Sequence, residues 1–356
     1  MAASKRVFAF LFAVKQQLAR GGRLVGRRLR QTAALLQRVL RAGPGPAHGH
    51  PGQFVSGSYA NEAGARPYKL YIPTKYEEQG LPLVVMLHGC TQTADAFATG
   101  TRMNALAEER QCFVLYPEQT PAPSRSRCWN WFKRGDQHRD QGEPAILAGM
   151  TREVMHRYRI DQDKVYVAGL SAGGAMAAVM GTAYPELYAA VGVHSGLPCG
   201  SAHDLPSALR VMFGMPAPRS ADHSSTALEA PLAPTIVFHG DRDRTVHPRN
   251  GERLVSRSLE RNGASSAASI ECARVPGGHA YTRAIHRDSM GRVVLEYWRV
   301  HEGGHAWFGG SPRGSYTDPK GPDAAREMIR FFYSGDTAKR STGSIAKNTV
   351  FAPLLF

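Results

Sequence analysis

The segment Gly-Leu-Ser-Ala-Gly-Gly at residues 169–174 restricts the fold of this chain more than any other feature. It follows the apolar run 164–168 and precedes the small residues of 172–179, so it predicts a buried strand, a sharp turn and a closely packed helix. Gly169 and Gly173 fit so tight a turn because they have no Cβ atom. Ser171 is therefore expected at the tip of the turn, with its hydroxyl exposed at the edge of a sheet.

The rest of the chain alternates short apolar runs with amphipathic ones. Strands are predicted at residues 66–72, 83–87, 113–116, 164–168, 189–194, 235–238 and 293–300. Helices are predicted at residues 100–110, 143–158, 172–183, 250–262 and 322–333. This alternation indicates an α/β fold in which helices cover both faces of a mostly parallel central sheet. Residues 200–232, rich in Ser, Ala and Pro, are expected to form a cap or loop inserted between strands.

Positive charge is concentrated at the start of the chain. The formal net charge is +15, and residues 1–61 hold ten Lys and Arg but no acidic residue. We predict a basic arm at 1–41, a Gly/Pro linker at 42–54, a folded domain at 55–336 and a C-terminal tail at 337–356. Residues 5–41 have the pattern of a basic amphipathic helix in two pieces, which would lie on an anionic membrane or a polymer granule. A solvated arm is the open alternative, and no nucleic acid partner is expected.

The five cysteines indicate neither a metal site nor a disulfide-rich scaffold. They are too few for such a scaffold and lack the spacing of zinc ligands, so no metal or cofactor is expected. A single disulfide would fit an exported protein. The apolar run at 7–14 is similar to the core of a signal peptide, but Lys15 interrupts it and no clear cleavage site follows. No run approaches the ~18 apolar residues of a membrane span.

A serine at such a turn needs a histidine base and a carboxylate that orients the histidine, because its hydroxyl is a poor nucleophile by itself. In α/β hydrolases the three residues come in the order Ser, Asp or Glu, His, each after a different strand. After the strand at 235–238, Asp243 lies far enough along the loop to reach the site, whereas Asp241 is expected to brace the turn. His305 follows the strand at 293–300 and is the favoured base. The competing histidines, His239 and His279, are expected to have local roles.

Acyl transfer also needs hydrogen-bond donors for the oxyanion. The backbone N–H of Ala172 opens the predicted helix after the serine. The backbone N–H of Cys90 follows the strand at 83–87 and the small Gly89, which lets the backbone approach a substrate closely. These two N–H groups are the predicted oxyanion donors.

The aromatic segment 128–132 and Trp307 place large apolar rings near the predicted site. Substrate-binding residues are predicted at Gln92, Trp131 and Trp307. Cys90 and Cys128 are expected to lie close together, because both flank the oxyanion loop and this aromatic segment. A disulfide between them is one outcome of that proximity.

With these residues assembled, the chain resembles the polyhydroxybutyrate depolymerase family of esterases, which is related to the feruloyl and acetylxylan esterases. The resemblance extends from about residue 68 to residue 333. Its motifs are Leu-His-Gly-Cys-Thr-Gln at 87–92, Arg-Met-Asn at 102–104, Cys-Trp-Asn-Trp-Phe at 128–132, Gly-Leu-Ser-Ala-Gly at 169–173, Phe-His-Gly-Asp at 238–241, Gly-His-Ala-Trp at 304–307 and Thr-Asp-Pro-Lys-Gly-Pro-Asp-Ala at 317–324. It implies an α/β-hydrolase fold and the same triad of Ser171, Asp243 and His305.

The resemblance further implies hydrolysis of polyhydroxybutyrate or short-chain hydroxyalkanoate esters through an acyl-enzyme, in an extracellular location. An intracellular enzyme associated with granules or membranes is the alternative location. The sequence contains no separate Ser/Thr-rich linker with a polymer-binding domain, so oligomeric or soluble esters stay open as substrates. A feruloyl or acetylxylan esterase is the alternative function, followed by a serine peptidase and a non-catalytic granule-surface protein.

Overall fold

A ten-stranded sheet runs through the protein, whose computed structural model describes residues 52–216 and 231–343. Its strands are β1 Gln53–Asn61, β2 Gly64–Ile72, β3 Leu83–Leu87, β4 Phe113–Pro117, β5 Val165–Leu170, β6 Ala190–His194, β7 Thr235–Gly240, β8 Ser269–Arg274, β9 Ala280–Arg287 and β10 Val293–Val300. Two short strands, β11 Trp307–Phe308 and β12 Thr317–Asp318, pair separately. The α-helices of the described residues are α1 Ala94–Thr101, α2 Met103–Arg110, α3 Gly142–Arg157, α4 Ala172–Ala183, α5 Leu205–Met212, α6 Arg249–Asn262 and α7 Ala324–Gly343.

Six neighbouring strands of the sheet are parallel, in the order β4-β3-β5-β6-β7-β10. Antiparallel strands extend the sheet on both sides, with β2 and β1 beyond β4, and β9 and β8 beyond β10. The predicted mostly parallel sheet is therefore confirmed, and each of the seven predicted strands overlaps an observed one.

Helices cover both faces of the sheet, as predicted. Successive side chains of a strand point to opposite faces, so Val85 and Val167 enter one core while Val84 and Tyr166 enter the other. The first core also contains residues of α3, α4 and α6, and the second contains residues of α1, α2 and α7. The strands from β3 to β7 are buried on both faces, which explains their nearly continuous apolar sequences. None of the helices within the described residues is long and apolar enough to cross a membrane.

The predicted single helix at 100–110 is wrong, because two helices, α1 and α2, meet at Arg102. This residue has a left-handed backbone with φ 58°, which ends α1 and redirects the chain. Its guanidinium donates to the carbonyl of Gly309 at 2.6 Å and forms an ion pair with Asp323 at 3.0 Å. The break is thus stabilised by partners more than 200 residues away along the chain, which a local sequence pattern does not reveal.

The prediction also omits β1, β8 and β9, which lie at or near the two edges of the sheet. Their side chains are mostly exposed or half-buried, so they lack the apolar run that marks a central strand. Strand β1 begins within the predicted linker at 42–54, and α7 continues beyond the predicted domain end at 336. Helix α5 lies within the predicted cap or loop at 200–232. The arm at 1–41 and the end of the tail lie outside the described residues.

Helix α4 crosses strand β3 at very short distance. A Cβ atom on Gly173 would lie 2.0 Å from the carbonyl oxygen of Leu87 and 2.6 Å from that of His88. A Cβ atom on Gly169 would lie 2.4 Å from the backbone of Gly173. Both positions therefore require glycine, as the sequence predicts, and the crossing fixes where α4 begins.

Gly173→Ala is expected to lower the free energy of unfolding by about 2–3 kcal/mol, because the added methyl group must displace the backbone of β3. Urea denaturation measures the change. Gly135→Ala is the control, since nothing lies within 4 Å of a Cβ atom at that position. Equal stability of the two variants would show that α4 moves away from β3 at little cost, contrary to this account.

Candidate active site

Ser171 occupies the turn between β5 and α4, where the sequence places it. Its backbone, with φ 59° and ψ −119°, is one that residues other than glycine rarely adopt. The Ser171 N–H donates to the carbonyl of His194 on β6 at 2.9 Å, and the Ala175 N–H donates to the carbonyl of Ser171 at 2.9 Å. The strained turn is therefore held from both sides, and the next residue, Ala172, is the first of α4.

His305 and Asp243 form a hydrogen-bonded pair. His305 Nδ1 lies 2.7 Å from Asp243 Oδ2, while the N–H groups of Thr245 and Val246 donate to Asp243 Oδ1 at 2.8 and 2.9 Å. Burial would raise the pKa of Asp243, but the charge and hydrogen bond of His305 and the hydrogen bond from the Val246 N–H lower it by more. The pKa of Asp243 therefore lies below its ordinary value. Asp243 is thus a buried carboxylate that stays charged at neutral pH and orients the His305 ring.

Asp241, the competing carboxylate, has partners of its own. It accepts hydrogen bonds from His301 Nδ1 at 3.0 Å and from the Glu302 N–H at 2.8 Å. The other ring nitrogen of His301 lies 2.9 Å from the hydroxyl oxygen of Thr282. Asp241 therefore braces its turn against the end of β10, in agreement with its predicted local role, and His301 is the partner that the sequence analysis did not identify.

The two competing histidines form their hydrogen bonds with other groups, although His239 Nε2 lies 3.6 Å from Asp243 Oδ2. His239 Nε2 lies 2.9 Å from the carbonyl oxygen of Val246, and the ring is fully buried. Burial lowers the pKa of His239, so the ring is neutral. His279 Nε2 lies 2.9 Å from Asp318 Oδ2 on β12. Both histidines therefore support local structure, and His305 is the histidine that is paired with the carboxylate of the predicted triad.

The three candidate catalytic residues follow three strand ends at one edge of the sheet. Ser171 follows β5, Asp243 follows β7 and His305 follows β10, and β6 lies between β5 and β7. The carboxyl ends of parallel strands meet at the same edge, which is where open α/β sheets bind ligands. Among the described residues, no hydrogen bond joins Ser171 Oγ to the His305 ring. Such contacts are often long without substrate and shorten in the reacting complex.

His194, which the sequence analysis did not single out, connects the serine turn to the segment after His305. Its carbonyl accepts from the Ser171 N–H, and its Nε2 accepts from the Phe308 N–H at 3.1 Å. Its ring stacks on Trp307 with centroids 5.0 Å apart. Burial holds the pKa of His194 well below its ordinary value, so this ring is neutral. Its position at the end of an apolar strand is the one signal of this role in the sequence.

His88 orients the backbone of the loop after β3. Its Nε2 accepts from the Gln119 N–H at 3.0 Å, so the ring hydrogen is on Nδ1 and is donated to the carbonyl of Gly89 at 2.8 Å. That carbonyl and the Cys90 N–H belong to one planar peptide and point in opposite directions. The bond from His88 therefore helps to set the direction of the predicted oxyanion donor. Burial lowers the pKa of His88 to about 4.

Cys90 and Cys128 are joined by a disulfide, with their Cα atoms 4.2 Å apart. The expectation that they lie close together is confirmed. The other three cysteines are free: Cys112 is buried, Cys199 half-buried and Cys272 exposed. Among the described residues, no group of three or more His, Cys, Asp and Glu side chains is arranged to hold a metal ion.

The three predicted substrate-binding residues are largely buried. Trp307 is 1% exposed and its ring packs edge-on against Phe97, while Trp131 is 5% exposed and packs against Phe132. Gln92 is 2% exposed, and its side chain is hydrogen-bonded within the protein. Direct contact of these three residues with a substrate stays a prediction.

Comparison with known protein families gives one match that covers most of this site. The family described as esterase PHB depolymerase matches residues 66–278, which is more than half of the chain. The matched range contains Ser171, Asp243 and the loop that carries Cys90. His305 lies beyond it, in the segment that follows β10.

Individual relatives agree with this match. Poly(3-hydroxyalkanoate) depolymerase C of Paucimonas lemoignei is 32% identical over 231 residues, which are 63% of this chain and 54% of that protein. Acetylxylan esterase A of Aspergillus oryzae is 30% identical over 196 residues, which are 51% of this chain and 62% of that protein. The chain therefore spans little more than half the length of these relatives. The solved structure of acetyl xylan esterase from Aspergillus awamori shares the fold, with a TM-score of 0.59 at 21% identity over 70% of this chain and 94% of that chain.

The low pKa of His88 is expected to make the folded protein less stable as the pH falls from about 6.5 to about 4. Because the pKa of His88 is lower in the folded than in the unfolded state, the unfolded chain takes up the proton first, and the free energy of unfolding decreases with falling pH. In urea denaturation, His88→Gln should reduce the slope of this free energy against pH by up to about 1.4 kcal/mol per pH unit. Because the comparison is between slopes of the unfolding free energy against pH, a loss of stability in His88→Gln that is the same at every pH does not affect it. Equal slopes would contradict this assignment.

Proposed function

Because the chain belongs to the esterase PHB depolymerase family, we propose that it is a serine-dependent hydrolase of carboxylic esters. The proposed substrates are polyhydroxybutyrate or short-chain hydroxyalkanoate esters. The observation that carries the proposal is the 2.7 Å hydrogen bond between His305 and Asp243, at the sheet edge where Ser171 occupies a strained turn. A nucleophile, a base and an orienting carboxylate at one edge are the parts that acyl transfer through an acyl-enzyme needs.

In the proposed reaction, Ser171 Oγ attacks the ester carbonyl carbon while His305 Nε2 takes the hydroxyl proton. The tetrahedral intermediate collapses as His305 returns that proton to the leaving alcohol, and the acyl group stays on Ser171. A water molecule then attacks the acyl-enzyme, again giving its proton to His305. Collapse of the second intermediate releases the acid and restores the Ser171 hydroxyl. Asp243 stays ionised and stabilises the charged imidazole in both steps.

The developing oxyanion is proposed to accept hydrogen bonds from the Ala172 and Cys90 N–H groups. Ala172 is the first residue of α4, where backbone N–H groups have no partner within the helix. The direction of the Cys90 N–H is supported by the bond between His88 and the Gly89 carbonyl. Donors that are already oriented need no reorganisation when charge develops, which is the main reason that such sites accelerate acyl transfer.

A poly(3-hydroxyalkanoate) depolymerase among the relatives favours a hydroxyalkanoate ester as the substrate. The acetylxylan esterase relatives favour the alternative, an acetyl or feruloyl ester of a plant polysaccharide. Turnover of amorphous polyhydroxybutyrate, hydroxybutyrate oligomers and acetylated xylan by the same preparation separates the two. A higher kcat/KM on acetylated xylan than on the oligomers would favour the alternative.

An extracellular location is proposed for the enzyme. The support is the disulfide between Cys90 and Cys128, since disulfides persist in oxidising compartments and are rare in the cytosol. The proposed oxyanion donor Cys90 is itself one of the bonded residues, so the site is expected to be most active in the oxidised protein.

Ser171→Ala and Asp243→Asn are expected to reduce kcat on p-nitrophenyl butyrate by at least ~10³-fold, because one removes the nucleophile and the other the charge that orients His305. Asp241→Asn is the matched control. It removes a charge two residues away that pairs with His301, and kcat should stay within about threefold. Labelling by a fluorophosphonate should require Ser171. Full turnover or labelling in Ser171→Ala would refute Ser171 as the nucleophile. A wild-type protein that neither hydrolyses the ester nor is labelled would favour a binding protein.

The basic arm at 1–41 is proposed to bring the enzyme to a polymer granule or an anionic membrane, because an insoluble substrate is reached only by adsorption. Replacing six arginines of the arm by glutamine in the full chain should leave turnover of p-nitrophenyl butyrate unchanged but reduce co-sedimentation with polyhydroxybutyrate granules or anionic vesicles. These arginines are Arg23, Arg27, Arg28, Arg30, Arg38 and Arg41. Lysine at the same positions keeps the charge and should keep adsorption. Equal sedimentation of both variants would contradict the proposal.

A further inference from the structure

The Gln92 side chain forms hydrogen bonds with two segments of the chain, one at Gly89 and the other at Ser315. Its Oε1 accepts from the Gly89 N–H at 2.8 Å, and its Nε2 donates to the Ser315 carbonyl at 3.0 Å and to the Ser315 hydroxyl at 3.1 Å. The orientation of the amide is fixed by these partners, because Gly89 N–H is a donor and the Ser315 carbonyl is an acceptor. Both amide hydrogens are used, and the residue is 2% exposed. Little of the Gln92 side chain is therefore accessible to a substrate.

The segment that Gln92 reaches is the continuation of the one that carries His305. Strand β11, which starts two residues after His305, pairs with β12, and the Trp307 N–H donates to the Tyr316 carbonyl at 2.7 Å. Ser315 is the residue directly before Tyr316. The amide of Gln92 thus connects the loop of the proposed oxyanion donor to the segment of the proposed base.

Gln92 also forms hydrogen bonds with both backbone polar groups of Gly89, its N–H and its carbonyl. While its Oε1 accepts from the Gly89 N–H, its own backbone N–H donates to the Gly89 carbonyl at 3.3 Å. The Gly89 carbonyl and the Cys90 N–H share one peptide plane. A shift of Gln92 therefore rotates the plane that contains the proposed donor.

We propose that Gln92 is a positioning residue. It orients the Cys90 N–H toward the oxyanion and keeps the position of this donor fixed relative to His305. This inference rests on the proposed function. It differs from the expectation that Gln92 binds the substrate, because a positioning residue acts on the transition state through the donor that it holds. Its loss lowers kcat, whereas loss of a ground-state contact raises KM.

Gln92→Met is the first test, since methionine has a similar length and offers neither hydrogen bond. We expect kcat on p-nitrophenyl butyrate to fall about 10²-fold, the effect of losing one oxyanion donor, with KM changed less than about threefold. Affinity for a butylboronic acid, which forms a tetrahedral adduct with the serine, should fall in parallel with kcat. Affinity for the product butyrate should not change. The rates and affinities are expressed per active site, and the active sites are counted by titration with a fluorophosphonate, so that misfolded protein does not contribute.

Tyr316→Phe is the matched control on the same segment. It removes the hydroxyl that lies 3.2 Å from the Thr91 hydroxyl and leaves the bonds of Gln92 intact, so kcat should stay within about threefold. Gln92→Glu is the second variant. As a carboxylate it repels the Ser315 carbonyl, but when protonated it can accept from the Gly89 N–H and donate one hydrogen bond to the Ser315 carbonyl. The ratio of its kcat to that of the wild type should therefore rise toward one as the pH falls.

The outcomes separate this inference from the proposed function. No turnover of any ester by the wild type, or full turnover by Ser171→Ala, would refute the proposed function. With that function intact, unchanged kcat per titrated site in Gln92→Met would overturn the positioning role. So would a raised KM at constant kcat, which would identify Gln92 as a substrate contact. Should Gln92→Met fail to fold, a pH-independent ratio for Gln92→Glu would overturn it equally.

Discussion

The close crossing of α4 over β3 is the constraint on which the rest of the site depends. The backbone of Gly173 lies so near the carbonyl groups of Leu87 and His88 that no Cβ atom fits between them. Ala172 directly precedes Gly173, and Cys90 follows His88 by two residues. Two N–H groups from separate segments of the chain can point at one oxyanion only where those segments touch. The crossing provides that contact, and the strained turn of Ser171 leads directly into it.

Three buried titratable groups belong to the candidate site or its supports, and each is stabilised by a specific set of partners. Asp243 stays charged in the interior because His305 and two backbone N–H groups bind its carboxylate. His88 and His194 are instead held neutral by burial, and each accepts a backbone N–H on Nε2. Asp243, His88 and His194 thus bind backbone groups around the site. Each keeps one protonation state near neutral pH, so the geometry of the site is expected to stay the same over that range.

Much of this arrangement could be predicted from the sequence. The central parallel strands and the serine turn are marked by local patterns, namely apolar runs and glycines at a sharp turn. The choice of Asp243 over Asp241 followed from loop length, and the structure pairs Asp243 with His305. The break at Arg102, the role of His194 and the pairing of Asp241 with His301 depend instead on partners distant in the chain. Edge strands such as β8 bury little surface and therefore leave no apolar signature.

The loop that carries Cys90 is attached to the protein at His88 and at Cys90 itself. His88 bonds to the Gln119 N–H, and the disulfide joins Cys90 to Cys128. The segment from 119 to 130 that receives these attachments is itself anchored by Glu143, a buried carboxylate that accepts hydrogen bonds from Gln119, Asn130 and Arg66.

Burial, and then the nearby charge of Asp136, raise the pKa of Glu143 even though these donors oppose the shift. The loop of the proposed oxyanion donor is thus fixed by covalent and polar links as well as by packing. Such links define the direction of an N–H group more narrowly than apolar contacts do, since hydrogen bonds weaken steeply with angle. A donor held in this way is already oriented before charge develops, as electrostatic stabilisation of an acyl-transfer transition state requires.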